Sequence, residues 1–285
     1  HKEIGYMNDV ILKAENIHYS YDSEKEALKG VSLDIHEKER LVILGANGSG
    51  KSTFFLNING VLKPESGEVY YKDKLIDKSG IKELRKNVGI VFQDADNQII
   101  ASSVRAEVSF GPMNLGLSKE EVKKRVDDAL NYMNIHHLID RPPHYLSGGE
   151  KKRVSIADII AMDSKIIIFD EPTASLDPKN VAIFEDALDK MSSDGKTLVI
   201  STHDIEFAYR FADRIVVFCD GNIIADGKPV DVLSDSKVLK MANLKKPILL
   251  DVFDTLVENS IVAKDCVPVR SVEEFRDLII SQAKA

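Results

Sequence analysis

The segment Gly45-Ala46-Asn47-Gly48-Ser49-Gly50-Lys51-Ser52-Thr53 concentrates the groups that hold a chain of phosphates. Glycines at 45, 48 and 50 let backbone N–H groups turn towards phosphate oxygens with no Cβ in the way. Lys51 supplies a charge for the β- and γ-phosphates, and the Ser52 hydroxyl suits the Mg²⁺ that accompanies them. The spacing G-x-x-x-x-G-K-[ST] is informative because of its flanks, with a buried strand predicted before it and a helix predicted from within it. A second reactive pair ends the run Lys165-Ile166-Ile167-Ile168-Phe169-Asp170-Glu171-Pro172. Side chains alternate along a strand, so the adjacent acids can take different tasks. Asp170 suits the magnesium shell, and Glu171 suits a water that must be oriented and polarised. The chemistry these residues imply is hydrolysis of a nucleoside triphosphate.

The elements that must position them read as follows. Leu41-Val42-Ile43-Leu44 is apolar throughout, the pattern of a strand buried on both faces. The helix opening in the glycine loop carries Phe54, Phe55, Ile58 and Asn59. Further strands are predicted around residues 10–21, 31–35, 69–71 and 89–92, and again at 166–170, 198–201, 214–218 and 223–225. Helices between several of these imply a mainly parallel, layered α/β core. From Gln93 to Arg153 the pattern turns helical: Ser118-Lys119-Glu120-Glu121 has capping-box form, and Val122, Val126, Ala129, Leu130 and Met133 follow at helical spacing. That stretch reads as an insertion into the core. After Val230 the strand signals fade into a mostly helical tail.

Composition narrows the classes of function. The chain has 285 residues, 44% apolar and 29% charged, with a net charge of −8. That acidic balance argues against a broad nucleic-acid surface while leaving room for one narrow basic pocket. Cys219 and Cys266 lie far apart with no metal-ligand spacing, as expected of free thiols in a reducing compartment. No apolar run approaches the roughly 18 to 20 residues that cross a bilayer. The first residues lack a signal peptide's apolar core. A cytosolic chain is expected, with any membrane task running through a partner.

Further segments resemble one family. Tyr145-Leu146-Ser147-Gly148-Gly149-Glu150-Lys151-Lys152-Arg153 is similar to the signature sequence of ATP-binding cassette (ABC) ATPases. Ser175-Leu176-Asp177 resembles their D-loop, Ser201-Thr202-His203-Asp204 their switch-histidine segment, and Phe92-Gln93 their Q-loop. The resemblance spans residues 10 to 230. It implies a P-loop NTPase fold of ABC type: a RecA-like α/β core, an antiparallel β subdomain and a helical insertion. The expected domains are 8–230, with a helical subdomain at about 94–154, and a mostly helical extension at 231–285.

The resemblance also implies roles for an ATP and Mg²⁺ site. Tyr21 stacks on adenine, with Tyr19 as the weaker candidate, while Asn47, Ser49 and Thr53 join the loop's other residues around the phosphates. Ser52, Gln93 and Asp170 serve the metal; Glu171, His203 and Gln93 serve catalysis. Ser147, Gly148, Gly149 and the D-loop's Asp177 belong to the nucleotide site, the signature residues reaching ATP held by a second subunit. Ser147 also precedes a predicted helix, which makes a second anion-binding helix start. Lys152 and Arg153 are expected on that helix's exposed face. Glu150, Ser175 and Ala95 depart from the common pattern without removing a reacting group.

Phe92-Gln93-Asp94-Ala95-Asp96-Asn97-Gln98 and Val108-Ser109-Phe110-Gly111-Pro112-Met113-Asn114-Leu115-Gly116-Leu117 are similar to one branch, the ATPases of energy-coupling-factor importers. That branch implies cobalt or nickel ions or vitamins as cargo. Its partners are a second ATPase subunit (identical or related), a transmembrane coupling subunit and a substrate-binding membrane subunit, with the chain on the membrane's cytoplasmic face. The alternatives are a soluble, non-transport ABC ATPase, disfavoured by the acidic balance and modest insertion, or the ATPase of another importer class. His136, His137 and His144 show no convincing metal-ligand spacing and read as solvated loop histidines. Pro247-Ile248-Leu249-Leu250-Asp251-Val252-Phe253-Asp254-Thr255-Leu256-Val257 resembles the first motif of haloacid-dehalogenase phosphatases. Too few residues follow for that fold, and the apolar spacing is helical, so a packed amphipathic helix is expected. In related ATPases such an extension helps to hold the two subunits together.

Overall fold

The computed structural model describes residues 9–21, 25–95, 98–174 and 176–282. Asp96 and Asn97 of the Q-loop segment, Ser175 of the D-loop segment and residue 8 of the expected domain lie outside the described residues. A four-stranded antiparallel sheet contains β1 (Val10–Ser20), β2 (Glu26–His36), β4 (Ser66–Tyr71) and β5 (Lys74–Leu75), in the order β2-β1-β4-β5. The main sheet holds β3 (Arg40–Leu44), β6 (Val88–Val91), β7 (Ile166–Asp170), β8 (Thr197–Thr202), β9 (Arg214–Cys219) and β10 (Asn222–Gly227). Its order is β10-β9-β3-β8-β7-β6, parallel except for the antiparallel edge strand β10.

Alternation along the buried strands divides their side chains between two cores. Val42 and Leu44, Ile167 and Phe169, and Ile215 and Val217 join one core; Leu41 and Ile43, Ile166 and Ile168, and Val216 and Phe218 join the other. This is why these strands are apolar at every position. The second core is completed by α1 (Lys51–Ile58) and by the antiparallel sheet. The first takes in α3 (Val104–Asn114), α4 (Lys119–Tyr132) and α5 (Gly148–Ala161), which form the helical insertion. It also takes in residues of α6 (Pro178–Ser193) and α7 (Ile205–Phe211).

Local details depart from the sequence patterns. Ser118 caps α4, its hydroxyl accepting from the Glu121 amide at 3.2 Å, but the Glu121 carboxylate turns to Arg125 (2.9 Å) and leaves the capping box half made. The complete box is at α5, where Glu150 Oε2 accepts from the Ser147 amide at 2.8 Å and Ser147 Oγ accepts from the Glu150 amide at 3.3 Å. The short helix α2 (Ile81–Asn87) carries too little signal to predict, since Leu84 is its one buried residue.

On α5, Asp158 points its Oδ1 into a sealed space with no hydrogen-bond partner, near Glu107 of α3. Desolvation, with Glu107 adding to it, pushes this carboxyl up to about 7. A raised folded-state value means that the native protein binds the proton more tightly than the unfolded chain does. Stability should therefore fall as pH rises from about 4 to about 7, by on the order of 1 kcal/mol per pH unit. Asp158→Asn is expected to flatten that slope and to raise the melting temperature at pH 8. Melts recorded from pH 4 to pH 8 check it; parallel curves for the two proteins would refute it.

The tail comprises α8 (Pro229–Ser234), α9 (Ser236–Met241), α10 (Ile248–Glu258) and α11 (Val272–Gln282). The dehalogenase-like segment is helical, α10, with Leu250 in the large core and Phe253 in a small cluster with Val262 and Val269. Its two acids pair with Lys246: Asp251 at 3.8 Å and Asp254 more closely. Arg270 caps the end of α7, donating to the carbonyls of Tyr209 (2.7 Å), Arg210 (3.3 Å) and Ala212. The Tyr209 hydroxyl donates in return to Val269 O at 2.9 Å. Arg270→Met strands these carbonyls and should cost about 1–3 kcal/mol, visible as a lower urea midpoint. An unchanged midpoint would mean that this cap adds nothing to the cassette's stability.

Candidate functional site

Parallel pairing brings the reactive segments to one edge of the sheet. Leu44 of β3 sits beside Thr202 of β8, and Asp170 of β7 beside Ser201. The glycine loop, the two acids and His203 therefore leave three adjacent strands at their carboxyl ends, where open α/β sheets bind ligands. The loop is held from behind, as Gly221 N donates to Ser49 O at 2.9 Å. At Gly50, φ is 106° and a Cβ would lie 2.7 Å from Ala27 O, so no other residue fits.

Lys51 opens α1 with 5% exposure. Its Nζ donates to Gly45 O (2.6 Å) and Ala46 O (3.2 Å) and lies 3.6 Å from Glu171 Oε1. The other Glu171 oxygen is 2.9 Å from His203 Nδ1, on a side chain that is 69% exposed at the rim. Glu171 itself stands at φ 45°, a left-handed conformation that costs a non-glycine residue about 1–3 kcal/mol. Its amide donates to both Ser201 O (3.2 Å) and Ser201 Oγ (2.9 Å), and Ser201 Oγ in turn donates to Asp170 Oδ1 at 2.6 Å. Ser201 therefore fixes both acids. The hydroxyl pair Ser201-Thr202, ending the apolar run Leu198-Val199-Ile200 beside the acid-bearing strand, was the signal for this role.

A cavity of about 390 Å³ runs from Tyr21 along residues 47–53 to Gln93 and Glu171. Tyr21 is 64% exposed, its hydroxyl 3.1 Å from Thr53 Oγ1 and its ring edge-on to Tyr19 at 5.2 Å. Tyr19 packs against the core. Of the two, Tyr21 lines the cavity.

Ser147, Gly148, Gly149 and Asp177 do not line that cavity. A second cavity of about 420 Å³ lies between Gln93, Gly148, Lys152, Pro172 and Leu176, so Gln93 borders both. Gly149 is pressed against Asn180, where a Cβ would come within 2.4 Å. Asn180 Nδ2 donates to Asp177 Oδ2 at 2.8 Å, and its amide donates to Asp177 Oδ1 at 2.9 Å. Gly149 of α5 and the D-loop acid at the start of α6 are thus joined through Asn180.

Lys152 is not on an exposed face. It is 4% exposed, and its Nζ donates to Phe92 O (2.6 Å) and Gln93 O (2.9 Å). Burial pushes its ammonium down to about 8, against the pull of Asp170 and Asp94. The reason is that α5 touches α3, α4 and β6 at once, leaving little of its surface to water. His136 pairs with Asp127 at 3.0 Å. Among the described residues, no group of three His, Cys, Asp or Glu side chains is arranged to hold a metal ion.

Comparison with known proteins agrees with this geometry. The family model for ABC transporters matches residues 28–174. The Methanocaldococcus jannaschii protein named Energy-coupling factor transporter ATP-binding protein EcfA is 41% identical over 279 residues, covering 96% of this chain and 98% of that one. The structure of cbiO1 from Clostridium perfringens, described as part of the ABC transporter complex cbiONQ, matches with a TM-score of 0.73 at 44% identity, covering 86% and 99%. MJ0796, described as a dimeric bacterial ABC transporter cassette, matches with a TM-score of 0.70 at 34% identity, covering 77% and 99%. The chain belongs to the ABC transporter family and is an ATP-hydrolysing cassette. Within that family its likeness runs to the ATP-binding proteins of energy-coupling factor transporters.

Proposed function

We propose that the chain powers an energy-coupling-factor importer from the cytoplasmic face of a membrane, as one of two cassettes that close head to tail on ATP. The observation that carries this is the separation of the two phosphate-binding starts. The loop at 45–53 lines one cavity, the signature residues lie beyond it, and Gln93 stands between. Ser147 to Gly149 are then free to meet the γ-phosphate held by the partner, with Asp177 beside them. Residues 8–230 form the working cassette, 94–154 its helical subdomain, and 231–285 an extension that helps to pair the subunits.

Within the site, Tyr21 stacks on adenine. Lys51 and the loop amides hold the phosphates, with Asn47, Ser49 and Thr53 completing the cradle. Ser52, Gln93 and Asp170 offer a hydroxyl, an amide oxygen and a carboxylate, the hard oxygen donors that Mg²⁺ takes. When bound, the ion neutralises charge on the phosphates. Glu171 orients and polarises the attacking water, and His203, tied to it, steadies the γ-phosphate.

A groove of about 400 Å³ between α3 and α4, lined by Arg105, Ser109, Met113, Leu117 and Val122, supports a membrane partner. Met113 in its wall and Phe110 on the same helix are 64% and 59% exposed. None of the described helices is long and apolar enough to cross a membrane. The cargo class is transition-metal ions such as cobalt and nickel, or vitamins, chosen by the membrane subunits. Co-expression with the membrane subunits, followed by detergent extraction, tests the proposal. The parent chain should co-purify with them, whereas Phe110→Asp should lose them and keep its basal ATPase. If the parent recovers no membrane subunit, the chain is a soluble ATPase instead.

A further inference from the structure

We propose that Lys152 is a positioning residue for ATP hydrolysis, holding the backbone at Phe92–Gln93 so that Gln93 is aimed at the loop site. The inference rests on the proposed role of Gln93. An ammonium carries three donors, and Lys152 gives bonds to two consecutive carbonyls, at 2.6 and 2.9 Å. A two-point hold fixes the direction of the backbone as well as its distance. From within the same loop, Gln98 Oε1 accepts from the Phe92 amide at 3.2 Å. The segment at the end of β6 is therefore pinned through its amide and its carbonyls, and the side chain of Gln93 leaves from that pinned segment.

The other end of the hold is α5. Lys152 stands one turn into the helix that Ser147 and Glu150 cap. A rigid helix moves as one body, so a force on the Ser147–Gly149 end is carried through Lys152 to the Gln93 backbone. Gln93 borders the loop cavity and the cavity beside Gly148. Lys152 thus joins the chain's two phosphate-binding starts through Gln93. A buried cation needs partners to offset its lost hydration. The two carbonyls, with Asp170 and Asp94 nearby, are what make a lysine tenable here.

The test is steady-state ATP hydrolysis by the purified full-length chain with Mg²⁺, below the melting temperature of every variant. Lys152→Met should lower kcat about 10- to 100-fold, the size of effect expected from misplacing a group by about 1 Å. KM for ATP should move less than about 3-fold, because Lys51 and the loop amides, which carry most of the ground-state hold on the phosphates, are untouched. Lys152→Gln, which keeps N–H donors without charge, should recover part of the loss. In a Gln93→Ala background, Lys152→Met should cost less than about 2-fold, because it acts through the group already removed.

Parental kcat in Lys152→Met, no recovery in Lys152→Gln, or the full loss persisting in the Gln93→Ala background would each overturn the inference. If the methionine variant does not fold, Lys152→Gln run through the same cycle gives the decision: a loss that vanishes in the Gln93→Ala background supports the hold, and any other result overturns it. Glu171→Gln assayed in parallel separates the levels. Turnover by that variant defeats the reading of the site, whereas its silence beside a fully active Lys152→Met defeats Lys152 alone.

Discussion

Glu171→Gln is expected to lower ATP turnover by about 10²- to 10⁴-fold, the range of a lost general base, while ATP affinity stays close to that of the parent. The amide has the shape of the carboxylate, so the amide bonds to Ser201 and the φ of 45° survive. What disappears is the negative oxygen pair that faces Lys51 on one side and His203 on the other. Glu171 Oε1 is buried without a hydrogen bond, 3.6 Å from Lys51 Nζ, so its lone pairs are not committed to another donor. With hydrolysis stopped, the ATP-bound pair should persist, and size-exclusion chromatography in ATP and Mg²⁺ should show a dimer for the variant. Near-parental phosphate release would remove Glu171 from its proposed role.

Lys51→Ala is expected to weaken ATP binding by about 10- to 100-fold, the loss of a charge-assisted bond to phosphate. Binding itself falls here, because Lys51 serves the ground state. The variant also leaves the Glu171 carboxylate buried without its neighbouring cation, the two side chains being 9% and 5% exposed. A lower melting temperature should accompany the weaker binding. Titration with a fluorescent ATP analogue gives the answer; unchanged affinity would count against the loop at 45–53 as the phosphate site.

The chemistry was legible in the sequence where it demanded fixed residue types at fixed spacing. The loop, the Asp170-Glu171 pair and His203 stand on strands whose uninterrupted apolar runs announce burial on both faces. Parallel pairing then left little freedom in how they meet. Lys152 was not legible, because helical periodicity assigns cations to water, and only the packing of α5 against three neighbours shows that this one has none. Ser201 was visible as a polar end to an apolar strand, but its bonds to both acids depend on the β7–β8 register. The two capping patterns show the same limit: Ser118 and Ser147 look alike in sequence, and Arg125, one turn beyond Glu121, takes that acid away from its box.

At position 171 folding and chemistry pull in opposite directions. The backbone at φ 45° would suit glycine or asparagine better, and neither offers the carboxylate that the reaction is proposed to use. A substitution chosen for stability alone at this position would silence the cassette. A chain that keeps glutamate in that conformation bears, in its backbone, the trace of selection for turnover.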